Sequence, residues 1–167
     1  MVETGILGPD DRVELIQGEI LTMSPQKSAH ATGVQLAGDA LRATFGPGFV
    51  VRTQLPLALG GESEPEPDVA VVAGSPRDFR DAHPATALLI VEVAEASLAF
   101  DRAVKKSLYV AAGVLEYWIV DLQARRLEVH REPRGSDYRE RQFLRPEDSV
   151  SPLARPQSSL RVADLLP

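Results

Sequence analysis

Two acids in this sequence stand where acids are costly. Asp68 follows Pro67 and opens the apolar run DVAVV, and Glu92 lies inside LLIVEVA, the most apolar stretch of the chain. An ionised carboxylate taken out of water needs a positive partner. A divalent cation is one such partner, because Mg²⁺ takes hard oxygen ligands, and two carboxylates on neighbouring strands can share it. A metal held there would polarise a phosphoryl oxygen and lower the pKa of a bound water. A lysine close by would stabilise the charge that develops on phosphate. Lys105 is the candidate, with Asp101 four residues before it, Tyr109 four after, and Leu98, Leu108 and Ala112 on the same helical face. Lys106 is its alternative. A plainer account also fits: Glu92 paired with an Arg or Lys, Asp68 capping a loop, and Asp101–Lys105 as a surface helix pair worth ~0.3–0.5 kcal/mol. The residue pattern alone leaves both open.

The elements that must position these groups follow from periodicity. VELIQGEILTM reads as two short strands with a turn near Gln17-Gly18, ended by Ser24-Pro25. From about Lys27 to Phe45, His30, Val34, Ala37, Leu41 and Phe45 recur every three or four residues, which predicts a helix stopped by Gly46-Pro47-Gly48. FVVRTQLPLAL is β-rich, with Pro56 breaking it or placing it at an edge. GGESEPEP is a loop, DVAVV a strand, and GSPRDFRDAHPAT a loop with one helical turn. ALLIVEVA reads as a strand covered on both faces. A helix from about Leu98 to Ala112 ends at Gly113, LEYWIVDL is a central strand, and RRLEVHREP and YRERQFLRP alternate as hairpin strands do. The tail ends in a short turn, VADLL. The expected fold is α/β in the α+β sense: one domain over 1–167, with a central mixed sheet flanked by helices and hairpin strands at both ends.

Bulk properties agree. The 167 residues are 44% hydrophobic and 25% charged, ordinary for a globular domain that needs no disulfide or structural metal. No cysteine is present, which excludes a disulfide framework, a thiolate zinc site and a cysteine nucleophile. No apolar run reaches the ~18 residues of a membrane span, and MVETGILGPDDR lacks the pattern of a signal peptide. A cytoplasmic location is expected. The net charge of −6 is not that of a general nucleic-acid binder. It is uneven, however: residues 1–100 carry 6 basic and 14 acidic side chains, residues 101–167 carry 12 and 10. Arg125, Arg126, Arg131, Arg134, Arg139, Arg141 and Arg145 offer a basic face. Alternating with Glu128, Glu132 and Glu140, they also read as the wet side of strands.

PDVAVV at 67–72 followed by IVEVAEASLAFDRAVKKSLYVAAGVLEYWIVDL at 90–122 resembles a large bacterial family of restriction-endonuclease-like proteins, long grouped as a domain of unknown function, in the PD-(D/E)xK superfamily. DRVELIQGEILTMSP, His30 and the TQLPL…EPEPD stretch resemble it too, so the likeness spans about Asp11 to Leu122. It implies a restriction-endonuclease-like core and a Mg²⁺- or Mn²⁺-dependent endonuclease acting on DNA. Asp68 then resembles the aspartate of the PD half-motif and Glu92 the acid of the (D/E)xK half-motif, together the metal ligands. The position two after Glu92 is Ala94, not lysine; the family's D-x-x-x-K-x-x-x-Y spacing is matched by Asp101, Lys105 and Tyr109, which favours Lys105 as the catalytic lysine. Glu19 and Glu14 resemble further acids that complete the site, with Glu19 the choice as a catalytic residue. A homodimer pooling two basic faces is one way for so acidic a chain to grip a duplex.

Other residues carry less. His30, His83 and His130 have no zinc spacing; His30 fits either a structural role or one beside the carboxylates, His83 a loop and His130 a strand surface. There is no G-x-S-x-G elbow and no phosphate-binding glycine loop. Tyr117 and Trp118 suit core packing better than base stacking, and Glu116 and Asp121 read as solvated or capping charges. The competing functional reading is a catalytically inactive module that binds nucleic acid or protein on the same fold.

Overall fold

The computed structural model describes residues 13–22, 25–60 and 63–167. The readings made for residues 1–12, for Met23 and Ser24 after the first hairpin and for 61–62 in the GGESEPEP loop lie outside the described residues.

Strand β1 (Val13–Ile16) and β2 (Glu19–Thr22) form an antiparallel pair. Their turn is Gln17-Gly18, both with positive φ (52° and 79°), the conformation that matches strand twist in two-residue hairpins. Helix α1 (Ser28–Phe45) buries Val34, Ala37, Leu41 and Phe45 and ends at Gly46, whose φ is 66°. Strands β3 (Phe49–Thr53), β4 (Val69–Ala73) and β5 (Leu89–Ala94) follow, with a 3₁₀ turn at Pro76–Phe79. Next comes one helical run in three consecutive pieces: α2 (Leu98–Phe100), a π-helical turn (Asp101–Lys105) and α3 (Lys106–Ala111). Strands β6 (Glu116–Asp121), β7 (Arg126–Arg134) and β8 (Asp137–Leu144) come after it. A small ribbon of β9 (Ser149–Val150) and β10 (Leu160–Arg161) and a 3₁₀ turn at Val162–Leu165 close the chain.

The six-stranded sheet has the order β3-β4-β5-β6-β7-β8. Only β5 and β6 run parallel in it, and the helical run is the crossover they require. Every residue of β5 and β6 is buried, as expected of strands covered on both faces. One face packs Val69, Val91, Val93 and Trp118 against α1 and the C-terminal Leu165. The other packs Ile90, Tyr117 and Ile119 against Leu108 and Tyr109 of α3. The mixed α+β architecture is therefore as expected.

Four polar residues depart from expectation. Glu116, Asp121, Glu128 and His130 are at most 2% exposed, not solvated. They lie on the central strands β6 and β7, where arginines satisfy the acids. Arg131 donates to Glu116 at 2.7 Å, with Trp118 Nε1 at 2.9 Å and the Leu153 N–H at 2.8 Å. His130 stacks on Tyr117 with ring centroids 5.8 Å apart.

Candidate active site

Register places the two acids side by side. Val69 of β4 pairs with Val91 of β5 in antiparallel sense, so Asp68, one residue before, falls next to Glu92, one residue after. The Asp68 N–H donates to Glu92 Oε2 (3.3 Å), and the Val93 N–H donates to Asp68 Oδ2 (2.8 Å). Two more elements reach Asp68. His30, on the sheet-facing side of α1, brings Nε2 to 3.2 Å from Oδ2, and Gln54, just past β3, donates from Nε2 to Oδ1 at 3.3 Å.

The helical run supplies the cation. Lys105, 6% exposed, donates from Nζ to Glu92 Oε1 (3.1 Å) and to Glu14 Oε1 (3.0 Å). Tyr109, one turn on, donates its hydroxyl to Glu92 Oε1 at 2.6 Å. Asp101 is also buried and accepts from the Ser97 hydroxyl at 2.6 Å. Both Asp101 and Lys105 lie in the π-helical turn, a local widening that often marks functional positions in helices. Glu14 arrives from β1, whose alternation turns Glu14 and Ile16 inward, and it also accepts the Glu66 N–H at 3.0 Å.

Glu14, Asp68, Glu92 and Asp101 thus share one region with Lys105 and His30, and negative charge is in excess. Burial pushes the Glu92 carboxyl up to about 8, with Lys105 opposing and Asp68 reinforcing the rise. Burial likewise pushes Asp101 up to about 6 against the Ser97 hydrogen bond. Burial works against the Lys105 ammonium, yet the Glu92 and Glu14 charges hold it above the ordinary lysine value. Asp68 is buried too, but the His30 hydrogen bond and charge and the Val93 N–H hold it below the usual carboxylate range. The same hydrogen bond raises His30. These groups line a cleft of about 580 Å³.

Among the described residues no group of three or more Asp, Glu or His is arranged to hold a metal ion. Two adjacent carboxylates at an open cleft nevertheless suit Mg²⁺, which is usually held by one or two carboxylates and keeps several waters.

Comparison with known proteins identifies the family and the fold. A family model named Uma2 and described as "Putative restriction endonuclease" matches residues 3–163. The chain belongs to the Uma2 family. Its fold matches a crystal structure from Anabaena variabilis ATCC 29413, described as "a putative nuclease belonging to DUF820", at a TM-score of 0.74 and 16% identity, covering 98% of this chain and 94% of that one. A search of curated proteins finds no match.

In this Uma2 chain the sequence-predicted residues are not all brought together. Asp68, Glu92, Lys105, Glu14 and His30 converge. Glu19 does not: it is exposed on β2, beside the turn of the hairpin, and absent from the cleft lining. Glu14 stands where Glu19 was expected. Lys106 points away, to Asp137 at 2.7 Å. Ala94 is buried in β5, and the lysine reaches Glu92 from a helix instead. Gln54 was missed; its position depends on a left-handed backbone (φ 51°), for which Gln is no signal. Among the described residues no helix is long and apolar enough to cross a membrane.

Proposed function

We propose that this Uma2 protein hydrolyses phosphodiester bonds in nucleic acid, DNA being the expected substrate, with the help of a divalent cation. The observation that carries the reading is Lys105 Nζ at 3.1 Å from Glu92, beside an Asp68 held in its ionised form. Five elements far apart in sequence, β1, α1, β4, β5 and the helical run, bring these groups to one cleft.

Asp68 and Glu92 would hold Mg²⁺ or Mn²⁺, which when bound supplies Lewis-acid polarisation of the phosphoryl group and a more acidic water. The protein's own parts are distinct. His30 and the Val93 N–H keep Asp68 charged and fixed. Tyr109 and Lys105 fix the Glu92 carboxylate from one side and leave Oε2 facing Asp68. Lys105 carries a permanent positive charge, suited to the anionic transition state of phosphoryl transfer. Glu14 shares that charge while the site is empty of substrate, and so aims the ammonium.

The test is cleavage of plasmid and single-stranded DNA with Mg²⁺ or Mn²⁺, comparing wild type with Asp68→Ala and Lys105→Ala. The expected result is metal-dependent nicking that both variants lose. Folded protein that neither binds metal nor cleaves would instead support an inactive binding module.

A further inference from the structure

A second group of charges lies on the same sheet face as the site. Glu92 pairs in register with Ile119, Ile119 with Glu128, and Glu128 with Phe143. Register partners point to one face. At a strand spacing of about 4.8 Å, Glu128 sits roughly 10 Å from Glu92. Glu128 is fully buried, yet three arginines converge on it. Arg102, from the π-helical turn, forms a two-pronged ion pair with it, Arg126 donates at 3.2 Å and Arg141 at 3.4 Å. The guanidiniums of Arg126 and Arg141 also lie over the exposed ring of Phe143, 4.5 and 4.4 Å from its centroid.

Three like charges would ordinarily repel one another. Here Glu128 gathers them, Asp121 lies 3.4 Å from Arg126, and the Phe143 ring lies against two of them. The side chains remain partly exposed, 32% for Arg102, 34% for Arg126 and 43% for Arg141. A guanidinium has five donors, and these bonds use only one or two of each. Pre-ordered forks with donors to spare suit phosphate oxygens. Arg102 also ties the cluster to the site, since its neighbours Asp101 and Lys105 in the same turn line the cleft.

We propose that Arg102, Arg126 and Arg141, gathered by Glu128, form the surface that grips the sugar-phosphate backbone of the nucleic acid whose scissile bond lies at Asp68 and Glu92. This rests on the phosphodiesterase reading for its substrate class. It also accounts for how a chain of net charge −6 engages a polyanion: the attraction is local to one preorganised patch.

The test measures anisotropy of labelled single-stranded and duplex DNA in EDTA across a salt series. The variants are Arg126→Gln, Arg141→Gln, Arg141→Lys and, as a charge control, the distant Arg161→Gln. Arg141 gives Glu128 one bond of several, so its replacement leaves the fold intact. The expected result is affinity lower by about tenfold for Arg126→Gln and Arg141→Gln, with the salt slope shallower by about 0.7–0.9 for each. Arg141→Lys should keep the slope with weaker binding, and Arg161→Gln should match wild type. In cleavage assays the two Gln variants should raise KM and spare kcat. Binding unchanged in those variants, or weakened equally by Arg161→Gln, overturns the surface while leaving the site reading to the Asp68→Ala cleavage result. A wild type that binds no DNA overturns both.

Discussion

Asp68 and Glu92 hold each other through the backbone. The Asp68 N–H binds a Glu92 oxygen, and the Val93 N–H, one residue past Glu92, binds an Asp68 oxygen. The antiparallel register that aligns β4 and β5 therefore also aligns the two carboxylates. Their spacing is a property of the sheet, not of flexible side chains.

Stability and activity should part company at Glu92. Burial pushes its carboxyl up to about 8, so metal-free protein near neutral pH gains little from its charge. Glu92→Gln should leave the urea-unfolding free energy within about 1 kcal/mol of wild type, or raise it, as relief of active-site strain commonly does. The same variant should lose both DNA cleavage and any stabilisation by Mn²⁺. A large loss of stability would show that Glu92 is chiefly a structural counter-ion.

Lys105 should behave in the opposite way. Lys105→Met removes the buried cation shared by Glu14 and Glu92. Breaking a buried pair from one side costs about 3–5 kcal/mol. Chemical unfolding in EDTA should show a loss of that order, and Mn²⁺ should restore part of it by supplying positive charge. A variant as stable as wild type would mean that the Lys105 charge is not needed to hold Glu14 and Glu92 together.

Gly33→Ala tests the backing of the site. An alanine in a helix is normally worth up to about 1 kcal/mol over glycine. Here the added Cβ would come within 2.9 Å of Val93 Cγ1, a buried side chain next to Glu92. Overpacking costs of about 1–3 kcal/mol outweigh the helical gain. The melting temperature should fall, and kcat should fall with it as β5 shifts. A rise in melting temperature would show that Val93 has room to move.

Acid stability should trace to Glu128. Burial works against it, but His130 at 3.6 Å, the Arg102 ion pair and the nearby Arg141 hold its carboxyl at about 2, against 4.5 ordinarily. Its folded value is depressed, so its contribution is fully present above about 4.5 and is lost as pH falls towards 2, an amount on the order of 3 kcal/mol. Glu128→Gln should be less stable than wild type at neutral pH and should lose less on acidification across that window. Parallel stability curves for the two proteins between pH 5 and 2 would rule this out.

The sequence makes the element order legible because its cues are local. Gln17-Gly18 marks a turn, the spacing from Val34 to Phe45 marks a helix face, and one acid in LLIVEVA marks a candidate site or a buried ion pair. What it hides is non-local. Glu128 alternates with arginines just as a wet strand would, and only the fold reveals that Arg102, 26 residues away, comes to meet it. Glu116 and His130 were misread for the same reason. Glu14 and Glu19 share one face of the β1–β2 ribbon, and the choice between them depends on position along it: Glu19 pairs with Ile16 beside the turn, whereas Glu14 pairs with Leu21 farther from it and meets the Glu66 N–H. The π-helical turn at Asp101–Lys105 has no local signal, since an ordinary helix fits the same residues.

The hairpin of β1 and β2 stands apart from the six-stranded sheet. A two-stranded ribbon is marginal by itself, so it should be the first unit to exchange its amide protons, well below the free energy of global unfolding. When it peels away, Glu14 goes with it, and the Lys105 ammonium is left to Glu92 alone. The fraying of one short ribbon thereby sets how much of the lysine's charge is free of Glu14, and on the proposed function how much a phosphate would meet.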